Sequence, residues 1–84
     1  MNILLAEDDA DLRGILSQYL EINGFSMLQA GNGQAGLEIF TKEHVDVCIL
    51  DIMMPVMDGF ELARQIRKTD PDIPVIFLTA RNQR

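Results

Sequence analysis

The feature that most constrains the fold is a set of short runs that are apolar at every position instead of every second one. Ile3-Leu4-Leu5-Ala6, Val45 with Val47-Cys48-Ile49-Leu50, and Val75-Ile76-Phe77-Leu78 are each bounded by polar residues. A strand with one face in water alternates, whereas a strand covered on both faces reads as an unbroken apolar run. Between these runs the apolar residues return at helical spacing. Leu12, Ile15, Leu16, Tyr19 and Leu20 predict a first helix, with Asp9 as its cap and Gly24 as its stop. Phe25 to Ala30 predict a second strand, and Asn32 caps a short helix through Lys42 that carries Ala35, Ile39 and Phe40 inward. Asp58 and Glu61 predict a capping pair for a third helix through Lys68, and Pro71 and Pro74 bracket the turn that follows. Thr79 and Ala80 open a loop after the last apolar run.

Buried strands alternating with helices imply a parallel sheet with right-handed crossovers and helices on both faces, a doubly wound α/β fold. At 84 residues the chain forms one domain at most, with a thin core. No apolar run approaches the roughly 18 residues that a membrane span requires. The first residues, MNILLAEDD, lack the basic and small-residue features of an export signal, so a cytoplasmic location is expected. A single cysteine, Cys48, agrees with a reducing compartment, and its apolar strand predicts inert core. A formal charge of −6 with seven scattered Lys and Arg excludes direct contact with nucleic acid.

In doubly wound sheets ligands sit beyond the carboxyl ends of the strands, where strand order reverses. Glu7 and Asp8 follow the first strand and Asp51 ends the third, so an order 2-1-3-4 makes the three carboxylates converge. Two like charges about 4 Å apart cost on the order of 4 kcal/mol at an effective dielectric near 20. A hard cation compensates such a cost, which predicts a magnesium site, with manganese as a substitute. An aspartate can also act as a nucleophile toward phosphorus once the incoming charge is offset. Asp51 is the candidate nucleophile, and the Thr79 hydroxyl and Ala80 amide are candidate donors to phosphoryl oxygens.

The stretches ILLAEDD, VCILDIMMPVMDGFEL and VIFLTA resemble the receiver domain of bacterial two-component response regulators, and the resemblance runs through the whole chain. It implies a flavodoxin-like sheet, phosphorylation of Asp51 by a sensor histidine kinase, Glu7 and Asp8 as metal-binding acids, the Met53 carbonyl as a further metal ligand, and Thr79 as the switch hydroxyl. Pro55 and Asp58-Gly59 shape the loop into the third helix, as in that family. Met53 and Arg81 resemble receivers joined to a winged-helix DNA-binding domain, which implies transcriptional control through another domain. Residues 1–84 correspond to the family's first four strands. Its fifth strand, last helices and phosphoryl-contacting lysine have no counterpart here, so impaired phosphoryl uptake is expected. Uncovered apolar faces on the first helix and the sheet are expected too, with the fourth strand as an open edge and a swapped or edge-paired homodimer as the consequence.

Other readings compete. Gly31-Asn32-Gly33-Gln34-Ala35-Gly36 has the G-x-G-x-x-G spacing of a dinucleotide site, although that reading leaves Glu7, Asp8 and Thr79 without roles. A haloacid-dehalogenase-like phosphatase also uses an aspartate nucleophile after a buried strand, but needs an acid two residues on, where Met53 stands. The segment from Asp9 to Gly14 resembles an EF-hand start, but its twelfth position is Leu20, so calcium is rejected there. His44 reads as a helix-end partner and not as a phosphoryl carrier. Met54 and Met57 either pack locally or form an adaptable partner surface.

Overall fold

The computed structural model describes residues 1–78. They form β1 (Asn2–Ala6), α1 (Ala10–Ile22), β2 (Ser26–Ala30), α2 (Gly33–Lys42), β3 (Val47–Asp51), α3 (Gly59–Thr69) and β4 (Val75–Leu78) in strict alternation. The four strands are parallel in the order β2-β1-β3-β4, as the carboxylate argument required. Right-handed crossovers in that order set α1 on one face of the sheet and α2 with α3 on the other, and α2 packs along α3.

The helix starts follow their local chemistry. Asp9 accepts from the N–H groups of Asp11 and Leu12, Asn32 from Ala35, and Asp58 from Glu61. Each satisfies a donor that the first helical turn leaves open. Only half of the expected Asp58–Glu61 reciprocity forms, because the Glu61 carboxylate is taken by Arg64 and Gln65. Gly24 follows the end of α1 at φ +95°, a left-handed conformation that glycine adopts without a Cβ penalty.

Strand periodicity divides the core. Leu4, Ala6, Cys48 and Leu50 face α2 and α3, where Leu62, Ala63 and Ile66 complete a continuous apolar cluster. Ile3 and Leu5, also buried, lie outside that cluster and point to the α1 face. Burial pushes the Cys48 thiol up to about 11, in line with inert core.

Two expectations are corrected. Ile15 and Tyr19 of α1 are each 64% exposed, because helical geometry turns them away from the stripe of Leu12, Leu16 and Leu20 that meets the sheet. β4 is not covered on both faces: Ile76 is 53% exposed, and Phe77 touches only the similarly exposed Phe60 among aromatic rings of the described residues. A strand at the edge of the described sheet has neighbours on one side only, so an apolar sequence does not secure its burial.

Candidate functional site

The site is built where β1 and β3 lie side by side and chain order reverses. Ala6 pairs with Leu50, so Glu7, just past the end of β1, and Asp51, the last residue of β3, lie together at the same end of the sheet. One carboxylate oxygen from each of Glu7, Asp8 and Asp51 lies within 4.8 Å of the other two. Glu7 is fully buried, Asp51 is 1% exposed and Asp8 is open to solvent. The sequence-based trio is thus brought together, with two acids below the surface and one at its mouth.

Short-range hydrogen bonds hold the trio's frame. The Glu7 N–H donates to the Ala30 carbonyl of β2 at 3.0 Å, its carboxylate accepts from the Asp9 N–H at 2.9 Å, and its carbonyl accepts from Arg13 Nη1 at 2.7 Å. Asp51 Oδ1 accepts from the Met53 N–H at 3.2 Å. Three hard carboxylate oxygens at this spacing, with room for solvent on the Asp8 side, suit a small divalent cation that keeps part of its water shell.

The loop from β3 to α3 is fitted by glycine and strained at one point. A Cβ on Gly59 would fall 2.2 Å from the Asp51 carbonyl oxygen, so only glycine lets α3 begin directly over the acid. The Gly59 N–H donates to the Ile52 carbonyl at 2.9 Å, which closes that approach. Val56, 83% exposed, is held at φ +72°, a conformation that strains a β-branched residue. Met53 is exposed, Met54 is buried in the core, and Met57 packs against it, so local packing is the role of Met54 and Met57. Between the loop and the trio an open cavity of about 490 Å³ is lined by Asp8, Ile52, Met53, Met54, Pro55, Asp58 and Phe60.

The glycine-rich rival loses its site. A Cβ on Gly33 would meet the Met57 carbonyl oxygen at 2.2 Å, and one on Gly36 would meet Leu62 at 3.1 Å. These glycines admit the neighbouring loop and helix, which occupy the space at the start of α2 that a pyrophosphate would need. Asp9 is engaged as the α1 cap. His44 Nε2 lies 2.8 Å from Asp46 at the amino end of the strands, away from the trio.

Thr79 and Ala80 lie outside the described residues, as does Arg81. Leu78, which precedes them, pairs with Asp51 across the β3–β4 register. Sequence reasoning missed Arg13 and Val56. Arg13 reads as an ordinary helical basic residue, and nothing local in MMPVMDG assigns a positive φ to its valine.

Comparisons with known proteins agree with this geometry. The sequence model of the response regulator receiver domain matches residues 3–84. The transcriptional regulatory protein RprY of Bacteroides fragilis is 44% identical over 81 residues, which cover 96% of this chain and 34% of that protein. The chain therefore spans about a third of the length of the curated relatives it matches. A crystal structure of the response regulator TrrA from Thermotoga maritima in complex with Mg(2+)-BeF superposes with a TM-score of 0.89 at 38% identity, covering 94% of this chain and 69% of that one. A structure of histidine kinase ThkA in complex with TrrA gives a TM-score of 0.88 at 36% identity, covering 98% and 71%.

Proposed function

Because this chain belongs to the response regulator receiver domain family, we propose that it is a phosphorylation-dependent signalling switch whose phosphoacceptor is Asp51. The observation that carries the reading is the convergence of Glu7, Asp8 and Asp51 within 4.8 Å, with two of the three side chains buried. Burying two acids beside a third is costly unless a cation or a reacting phosphoryl group uses them.

In this reading a carboxylate oxygen of Asp51 attacks the phosphorus of a phosphohistidine, the P–N bond breaks, and an acyl phosphate forms on Asp51. The kinase's imidazole leaves and takes up a proton. Glu7, Asp8, Asp51 and the Met53 carbonyl hold Mg2+, or Mn2+ in its place, which supplies charge compensation to the phosphoryl oxygens. Thr79 and the Ala80 amide are the further phosphoryl contacts. Met53 stands two residues beyond Asp51 and offers no acid or base to activate water, which favours a lasting phosphoryl group over phosphatase turnover.

The partner is a sensor histidine kinase, a role supported by the kinase complex of the TrrA relative. Relatives named as transcriptional regulators support an output in transcription through a DNA-binding domain, with no nucleic-acid contact by residues 1–84. No described helix is long and apolar enough to cross a membrane, and a cytoplasmic setting fits a kinase-fed switch. Exposed Ile76 and Phe77 on β4, at the edge of the sheet among the described residues, with Ile15 and Tyr19 on α1, support a homodimer, swapped or edge-paired; a purely monomeric species in sedimentation would argue against it.

Magnesium titration followed by beryllofluoride, in this chain and in Asp51→Asn, tests the reading. Binding that is lost in the variant supports it. Equal binding by both proteins would sink it.

A further inference from the structure

We propose that Arg13 is a positioning residue for the metal-binding acids, a role that rests on the phosphoacceptor reading above. Arg13 stands in α1, and its guanidinium reaches back over the end of β1 to donate from Nη1 to the Glu7 carbonyl at 2.7 Å. Gly31 lies beside the guanidinium, where a Cβ would sit 3.4 Å from the same nitrogen, an ordinary van der Waals contact. The side chain is half-buried.

The Glu7 carbonyl and the Asp8 N–H belong to one planar peptide unit. A bond that fixes the carbonyl therefore fixes the plane from which the Asp8 side chain departs. Among the described residues the Asp8 carboxylate has no hydrogen bond of its own, while Glu7 has the Asp9 N–H and the Ala30 carbonyl as further anchors. Asp8 is thus the member of the trio whose direction depends most on the peptide behind it. An arginine suits the task because its planar fork can hold a carbonyl while its remaining N–H groups stay solvated.

The proposal predicts an effect opposite in sign to simple electrostatics. A guanidinium near a dication site repels the metal, so a role through charge alone means that Arg13→Ala tightens Mg2+ binding. Positioning means that Arg13→Ala weakens it, by about ten-fold or more, as loss of an outer partner of a metal ligand does. Arg13→Lys keeps the charge and one donor, and its affinity should fall between the two. A second readout needs no metal: the carbonyl carbon of Glu7 should shift in the NMR spectrum of metal-free Arg13→Ala, as expected for a lost hydrogen bond.

The experiment is Mg2+ titration by calorimetry of the full 84-residue chain, of both Arg13 variants and of Asp51→Asn, with the Glu7 carbonyl shift recorded for each. Weaker binding in Arg13→Ala, partial rescue in Arg13→Lys and a moved Glu7 carbonyl establish the role. Unchanged or tighter binding in folded Arg13→Ala, or an unmoved carbonyl, overturns it while leaving the phosphoacceptor reading intact. Magnesium binding indifferent to Asp51→Asn removes that reading and this role with it. If Arg13→Ala does not fold, Arg13→Lys decides: wild-type affinity with an unmoved carbonyl overturns the proposal, and weaker binding with a moved carbonyl supports it.

Discussion

The two ends of the sheet treat acidic side chains in opposite ways. At the amino ends of the strands Asp46 accepts from the Asn2 N–H at 2.7 Å and lies 2.8 Å from His44 Nε2, while the Asn2 amide donates to the His44 carbonyl at 2.7 Å. That arrangement ties the start of β1 to the segment leading into β3. At the carboxyl ends three acids crowd together, and the basic group beside them, Arg13, donates to a backbone carbonyl. One end gives a carboxylate its own hydrogen-bond donors, and the other concentrates like charge in a partly buried site. The contrast teaches that the first end is arranged for folding and the second for an incoming ligand, with stability given up locally to keep a reactive geometry.

The largest effect should come from the frame of the acidic end. Gly59→Ala forces a methyl group against the Asp51 carbonyl and should destabilise by about 3 kcal/mol in urea melts. A loss under about 1 kcal/mol would mean that the start of α3 can retreat from Asp51 without cost.

Asp51→Asn sharpens the comparison next. Removing one of three converging charges should raise metal-free stability by about 2 kcal/mol, while abolishing the stabilisation that added magnesium gives the parent chain. Asp46→Asn at the other end should lower stability, since it weakens the charge-assisted hydrogen bond from the Asn2 N–H. Two substitutions of one chemical type with the same sign of effect would break the distinction between the ends.

Val56→Gly should raise stability by about 1 kcal/mol, the relief of left-handed strain less the added freedom of the unfolded glycine. A thermal melt showing a decrease would locate favourable contacts at Val56 that outweigh its backbone strain.

The smallest effect concerns pH. The Asn2 N–H, followed by His44, holds the Asp46 carboxyl below the usual carboxylate range. At Glu61 the Gln65 amide, followed by Arg64, acts in the same direction. A folded pKa below the unfolded one means stability that is present above the unfolded value, near 4, and lost as pH falls through the folded value. The difference in melting temperature between the parent and Asp46→Asn should therefore close as pH is lowered below about 4. A gap that persists in strong acid would assign the role of Asp46 to its shape and not to its charge.

Much of this arrangement was legible because its causes are local. Asp9, Asn32 and Asp58 cap helices with an oxygen two or three residues from the N–H groups they accept, so the caps can be read within a single turn. The acidic trio was legible for a different reason: parallel strand order is restricted enough that placing β1 beside β3 leaves few places for Glu7, Asp8 and Asp51. Tyr19 and Ile15 were misjudged because helical spacing identifies apolar residues but not which of them find a neighbour. The same applies to Ile76 and Phe77, where an apolar run identified the strand and its place in the sheet set its exposure.

By itself the sequence determined the alternation of strands and helices, the helix starts and the identity of the converging acids, since these depend on contacts within a few residues or on a small set of permitted topologies. Tertiary structure alone decided that Gly33, Gly36 and Gly59 serve close packing, that Met54 and Met57 turn inward, and that Arg13 reaches the Glu7 carbonyl. Each of these depends on which atoms from distant parts of the chain arrive in the same few ångströms, and no local pattern carries that information.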